Sequence, residues 1–403
     1  MQEGRAVSEP TQRPHKDAQT VRDGVQDLLP TIRERAEETE RLRVVPESSV
    51  KELEEVGFFK LLQPARFGGL EADPVDFYTC VRDIASACGS TGWVSSVLGV
   101  HPWQIALFDD EAQQAVWGED PDTRVSSSYA PMGKAAITEG GFTLSGRWSF
   151  SSGCAHATWV LLGGLVFNDE GQVVDFRTFL VPRERYEIVD VWNVVGLAGT
   201  GSNDIVVEDV FIPETFTLSM AETGRCKGPG QAVNTGDLYK LQFHSLFTTT
   251  ITTPIIGMAR GAYEEHVTMQ QNRVRASYGE KASLDPFAAV RVATASSDID
   301  AAWALLMGNI REQQAYVARG EKIPITQRLR IRRDQVLGTQ RAIDAIDLLF
   351  EASGGRALAN GTPLQRAWRD AHAGRVHAAN DPERALQMYG ASEFGHKVDP
   401  GMY

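Results

Sequence analysis

Gly146-Arg-Trp-Ser-Phe-Ser-Ser-Gly153 reads as the end of a β-strand, with aromatic and hydroxyl side chains alternating between two glycines. Taken alone it is an ordinary strand with two unlike faces. Its neighbours read the same way: short β-rich runs at 125–129, 142–145, 159–165, 177–181 and 205–212 are separated by Gly, Asn and Asp at turn positions. Residues 122–218 are therefore expected to form a central antiparallel β-barrel or sandwich.

On either side the period changes. Val21, Val25, Leu28, Leu29 and Ile32 recur at helical spacing over 17–36. Further helices are expected over 48–57, from Pro74 through Cys88, and from Thr91 to a stop before Pro102. Beyond the β segment, 221–236 is rich in glycine and polar residues and reads as a long mobile loop. Helical periodicity then returns over 240–272, 285–318, 326–353 and 363–377, before an irregular tail from Glu393. The expected class is mainly α with a β insert. It comprises a flexible arm (1–17), an N-terminal helical domain (18–121), the β domain (122–218) and a C-terminal helical bundle (219–403). No internal repeat is evident.

Composition narrows the function. A chain of 403 residues, 42% hydrophobic, can bury a large core in more than one lobe. A net charge of -13 argues against nucleic acid as a partner. No apolar run is long enough to span a bilayer, and the N-terminus lacks the apolar core of a signal peptide. Cys80, Cys88, Cys154 and Cys226 show no CxxC spacing and read as reduced thiols of a cytoplasmic protein. There is no HExxH and no repeated carboxylate–histidine spacing, so no metal is expected and an organic cofactor is. No GxGxxG opens a βαβ unit, so NAD(P)H is expected to bind a different chain.

Four segments in order resemble the acyl-CoA dehydrogenase superfamily. They are Glu55-Val-Gly-Phe-Phe-Lys-Leu-Leu-Gln-Pro-Ala-Arg-Phe-Gly-Gly69, the run from Val195 to Pro213, Arg275-Ala-Ser-Tyr-Gly279, and Ser353-Gly-Gly355 followed by Arg366-Ala-Trp-Arg-Asp370. Gly99-Val-His-Pro-Trp103, Ser126-Ser-Ser-Tyr129 and Asp370-Ala-His-Ala-Gly374 resemble its flavin monooxygenases, the oxygenase components of two-component aromatic hydroxylases acting on p-hydroxyphenylacetate or secosteroid phenols. The resemblance implies an acyl-CoA dehydrogenase-like fold, reduced FAD or FMN, molecular oxygen as co-substrate, and a separate NAD(P)H:flavin reductase. It also implies a homotetramer or dimer.

The same resemblance assigns residues. Phe150 would cover the isoalloxazine and Ser152 would face its N5, where a hydroxyl can donate or accept. Ser127 or Ser128 would reach flavin or substrate. Arg275 would pair with the cofactor's phosphates from a neighbouring subunit, and Gly354 and Gly355 would let the backbone approach the adenine half. In many dehydrogenases of this fold a glutamate lies nine residues after the arginine of the Arg-Asp pair; counted from Arg369 that position is Ala378, and 255–260 holds no carboxylate either. His372 and His377 lie nearby, with His101 on an earlier segment. These histidines are the expected acid–base groups, and Trp93 the expected pocket wall. The expected reaction is hydroxylation of a phenolic or indole-type ring through a flavin C4a-hydroperoxide, with the 221–236 loop as a lid. The alternatives are an acyl-CoA dehydrogenase, an N- or S-oxygenase on the same fold, and a non-catalytic flavin-binding protein.

Overall fold

The computed structural model describes residues 17–274, 279 and 281–398. The expected arm thus lies, apart from Asp17, outside the described residues. Among the described residues six α-helices precede the sheet: α1 (Ala18–Glu34), α2 (Ala36–Leu42), α3 (Glu47–Val56), α4 (Pro74–Ala87), α5 (Gly89–Ile105) and α6 (Asp110–Trp117). The strands are β1 (Val125–Thr138), β2 (Gly141–Ser151), β3 (Trp159–Phe167), β4 (Val173–Pro182), β5 (Glu187–Val189), β6 (Asn203–Pro213) and β7 (Thr217–Ser219). After them come α7 (Met220–Gly224), α8 (Phe243–Asn272), α9 (Pro286–Ala318), α10 (Ile325–Ser353), α11 (Pro363–Arg375) and α12 (Pro382–Glu393). The starts of α4, α9 and α12 share one local device. Asp73, Asp285 and Asp381 each accept a backbone N–H in the first turn, and the proline that follows loses no helical bond there.

The β segment is one mixed sheet in the order β5-β6-β2-β1-β3-β4-β7, not an all-antiparallel barrel or sandwich. β2 folds back on one edge of β1 through a two-residue turn closed by the Thr138–Gly141 pair. β3 crosses over and pairs parallel with β1 on the other edge. A period of two in the sequence looks the same for both directions of pairing, so it could not show this. Alternation does explain burial on both faces. Val160 and Leu162 enter a core with Leu144, Trp148, Phe179 and Val181, whereas Leu161 and Leu180 face the helices.

Two further expectations are corrected. α5 runs through Pro102 to Ile105, because all of its residues are buried and packing on both flanks outweighs the missing N–H. The 221–236 segment is not a free loop but holds α7 and a 3-10 turn (Pro229–Ala232). Its polar residues are spent on tying it down. Asn234 donates to the Ala106 carbonyl and to Gln113, each at 2.8 Å, and Gln231 donates to the Tyr239 carbonyl at 2.7 Å.

All four cysteines are free thiols. Among the described residues no helix is long and apolar enough to cross a membrane, and no His/Cys/Asp/Glu cluster could hold a metal ion.

Candidate active site

The start of β1 and the end of β2 pack against α5, and the turn after α11 closes on the same helix. His101 on α5 is fully buried and bonded at both ring nitrogens. Nδ1 lies 2.5 Å from the Val125 carbonyl and Nε2 lies 3.0 Å from Ser127 Oγ. Burial pulls its pKa down to about 4 against the Val125 bond. The ring is therefore neutral. A carbonyl only accepts, so the proton sits on Nδ1, and Nε2 accepts from the Ser127 hydroxyl. Tyr129 stands beside this pair, its ring 6.3 Å from His101 and edge-on to Phe247 at 4.9 Å and Phe243 at 6.1 Å. Its hydroxyl donates to Gln104 Oε1, and Gln104 Nε2 is buried without a hydrogen-bond partner. An aromatic wall with one orphaned donor results.

The three serines divide as strand geometry requires. Ser127 faces α5, whereas Ser126 meets Ser151 Oγ at 3.3 Å and Ser128 donates to the Ser149 carbonyl at 2.7 Å. Ser127 and Ser128 therefore do different jobs: one addresses His101, the other binds β2.

Next to this pair lies a second cluster. Trp93 Nε1–H donates to Ser152 Oγ at 3.2 Å, and the Trp93 ring lies 5.9 Å from the His377 ring. Gly374 makes this approach possible, since a Cβ there would sit 2.9 Å from the Trp93 ring and 3.1 Å from Ile255. Just before Ser152 the ladder to β6 is irregular between Trp148 and Ser151, and Phe150 has φ of +69°. That conformation is strained for an aromatic residue. It turns the ring outward, 68% exposed, edge-on to Trp192 at 6.0 Å.

His377 caps the 3-10 turn Ala378–Asn380, its Nδ1 accepting the Ala379 N–H at 3.1 Å. Burial, with help from the Arg332 charge, holds its pKa down at about 4. The neutral ring must then carry its proton on Nε2, the reverse of His101. The turn is anchored by Asn380, which donates to the Gly374 carbonyl at 2.9 Å and accepts from Gln335 Nε2 at 2.7 Å. Gln335 also donates to Thr252 at 2.6 Å, and buried Arg332 donates to the Ala379 carbonyl at 2.8 Å. Sequence reading missed Arg332, Gln335 and Asn380, because nothing in their spacing marks them as neighbours of His377.

His372 is placed apart. Its ring lies 4.6 Å from that of Trp368, Nδ1 faces the Trp368 carbonyl at 2.8 Å, and Nε2 lies 3.3 Å from Asp347. It shares no contact with the Trp93–Ser152–His377 group. The Arg369–Asp370 pair next to it holds the loop before β6. Arg369 donates to the Val195 carbonyl and Asp370 accepts the Leu197 N–H, each at 2.6 Å. Burial lifts the Asp370 carboxyl to about 6.

Gly354 and Gly355 lie at the end of α10, away from both histidines. Gly354 adopts φ 67°, ψ -165°, a region open to glycine alone. Beside it Arg273, Arg291, Leu348, Glu351 and Ala352 line an open depression of about 410 Å³. Arg275 lies outside the described residues.

Comparison with known proteins identifies the family. Residues 15–120 match the acyl-CoA dehydrogenase N-terminal domain and residues 249–382 its C-terminal domain. The chain is 61% identical over 376 residues to the flavin-dependent monooxygenase, oxygenase subunit HsaA, of Rhodococcus jostii (strain RHA1), covering 93% of this chain and 98% of that protein. It is 34% identical over 383 residues to the FADH(2)-dependent resorcinol hydroxylase, oxygenase component, of Rhizobium sp. (strain MTP-10005), covering 92% of each. The crystal structure of 3-HSA hydroxylase from Rhodococcus sp. RHA1 superposes with a TM-score of 0.92 at 58% identity, covering 95% of this chain and 99% of that one. The chain belongs to the acyl-CoA dehydrogenase family, among its flavin-dependent monooxygenase oxygenase components.

Proposed function

We propose that this protein hydroxylates a small phenolic or indole-type substrate, using molecular oxygen and reduced FAD or FMN delivered by a separate NAD(P)H:flavin reductase. The observation that carries the reading is a pair of neutral histidines with opposite tautomers, His101 fully buried and His377 half-buried. His101 presents a bare nitrogen through Ser127, and His377 presents an N–H beside Trp93. A phenol O–H donating to Ser127 Oγ would be polarised through to His101 Nε2. With a pKa near 4, His101 accepts a hydrogen bond without taking the proton outright. Electron density on the ring rises while the site stays uncharged. His377 Nε2–H suits an oxygen that gains negative charge during transfer.

The residues at the end of β2 fit a flavin. An outward aromatic ring at Phe150 and a buried hydroxyl oxygen at Ser152 provide a surface for a planar heterocycle and a partner for its edge. When bound, the flavin would supply the oxygen activation. Burial of His101, Ser127 and Ser152 helps to exclude water, which that chemistry needs. The names of the related hydroxylases support aromatic substrates and reduced flavin. The proposal extends to a cytoplasmic homotetramer or dimer.

The deciding experiment mixes the protein anaerobically with reduced flavin and then adds oxygen and a panel of phenols and indoles. A transient absorbance before flavin oxidation, with hydroxylated product, is the expected result. Immediate oxidation without a transient or product would sink the proposal.

A further inference from the structure

A chain of hydroxyls runs from α5 to the loop before β6, and its direction is fixed. At one end Trp93 Nε1–H can only donate, and it donates to Ser152 Oγ at 3.2 Å. At the other end the Leu197 carbonyl can only accept, and it takes the Thr200 hydroxyl proton at 2.9 Å. Between them Ser152 Oγ lies 2.8 Å from Ser202 Oγ, which lies 2.6 Å from Thr200 Oγ1. Each hydroxyl owns one proton. Thr200 has spent its own on Leu197, so it accepts from Ser202. Ser202 is then spent as well and accepts from Ser152. All four side chains are buried, so solvent does not compete for these bonds. The acceptor end is also rigid: the Leu197 N–H is held by Asp370, and its carbonyl receives the Trp192 indole N–H at 2.9 Å.

Ser152 therefore keeps no proton to offer outward. One of its lone pairs takes the Trp93 N–H and the other is free. We propose that the Trp93–Ser152–Ser202–Thr200 chain selects the redox form of the flavin: Ser152 accepts from the N5–H of reduced flavin and has nothing to donate to the bare N5 of oxidised flavin. This rests on the reading that Ser152 stands at N5. Ser202 and Thr200 are positioning residues in this scheme, acting through Ser152. One hydrogen bond made in one form and refused in the other gives a preference on the order of tenfold.

The test compares dissociation constants of oxidised flavin and of anaerobically reduced flavin, read by flavin absorbance and fluorescence, with no turnover involved. The wild type is expected to favour the reduced form by about tenfold or more. Thr200→Val keeps the volume but removes the acceptor, freeing the Ser202 proton to turn back and the Ser152 proton to point outward. The preference should fall severalfold, chiefly through tighter binding of oxidised flavin, and Ser202→Ala should act in the same direction. Thr200→Ser keeps the hydroxyl and should keep the preference, which a packing role for the threonine methyl would not predict. An unchanged ratio in Thr200→Val, with Thr200→Ser folded as a control, overturns the inference while leaving the flavin site in place. Failure of the wild type to bind either form removes the cofactor reading and the inference with it.

Discussion

His372 and His377 are five positions apart and share the same chemistry on paper, yet their surroundings give them different work. His377 packs against Trp93 with Nδ1 consumed by its own turn, whereas His372 rests on Trp368 with Asp347 at its far nitrogen. His377→Ala is expected to lower product formation by about a hundredfold, the usual scale for a lost proton-handling group, with flavin affinity retained. His372→Ala should leave the hydroxylation rate within about twofold. Product yield per flavin oxidised distinguishes the two, and equal losses would refute the assignment. Ser127→Ala removes the link between substrate and His101 and should cost about tenfold, a hydrogen bond's worth. At this scale the sequence located the histidines and serines but not their protons. Which nitrogen is bare follows from Val125 and Ala379 backbone groups, whose positions no side-chain pattern encodes. Ser202 and Thr200 were missed for a related reason, since they lie in a loop whose approach to Ser152 depends on the Asp370 anchor.

The turn after α11 shows how one element sets a site. Asn380 joins α8, α10 and α11 through Thr252, Gln335 and the Gly374 carbonyl. Asn380→Ala would leave buried donors and an acceptor unpaired and should destabilise the protein by about 1–3 kcal/mol, measured by urea unfolding. Gly374→Ala forces a Cβ against Trp93 and Ile255, an overpacking of about 1–3 kcal/mol, with a change in tryptophan fluorescence as Trp93 shifts. An unshifted spectrum would mean that Trp93 does not rest on this helix. Most elements were legible because their periods are strong; the rest depended on tertiary packing. The parallel β1–β3 pair, the passage of α5 through Pro102 and the anchoring of 221–236 all follow from what lies against each segment.

Acid tolerance belongs to the whole molecule. His101, His244 and His377 are each held near pKa 4 by burial, below their ordinary 6.5. The folded chain takes up these protons less readily than the unfolded chain, so stability is full above 6.5 and falls as pH drops toward 4. Each could forfeit roughly 3 kcal/mol across that window. Asp370 works the other way, since its raised carboxyl takes up a proton in the folded state as pH falls through about 6. His156 and His266 are shifted in the same direction by burial, so against one aspartate the balance favours acid unfolding. Urea midpoints should drop between pH 7 and 5, and His244→Gln should flatten the drop without touching His101 or His377. A pH-independent midpoint would contradict the burial of these rings.

α5 has no outward face: each of its 17 residues is buried, and Trp93 and His101 are two of them. The spine of the molecule is therefore also one wall of the proposed site. Variation there disturbs neighbours on every side at once, so inherited changes in substrate range have little room on this helix. Diversification is channelled to what leans on it from outside, such as half-buried Phe247 on α8, which meets Tyr129 edge-on.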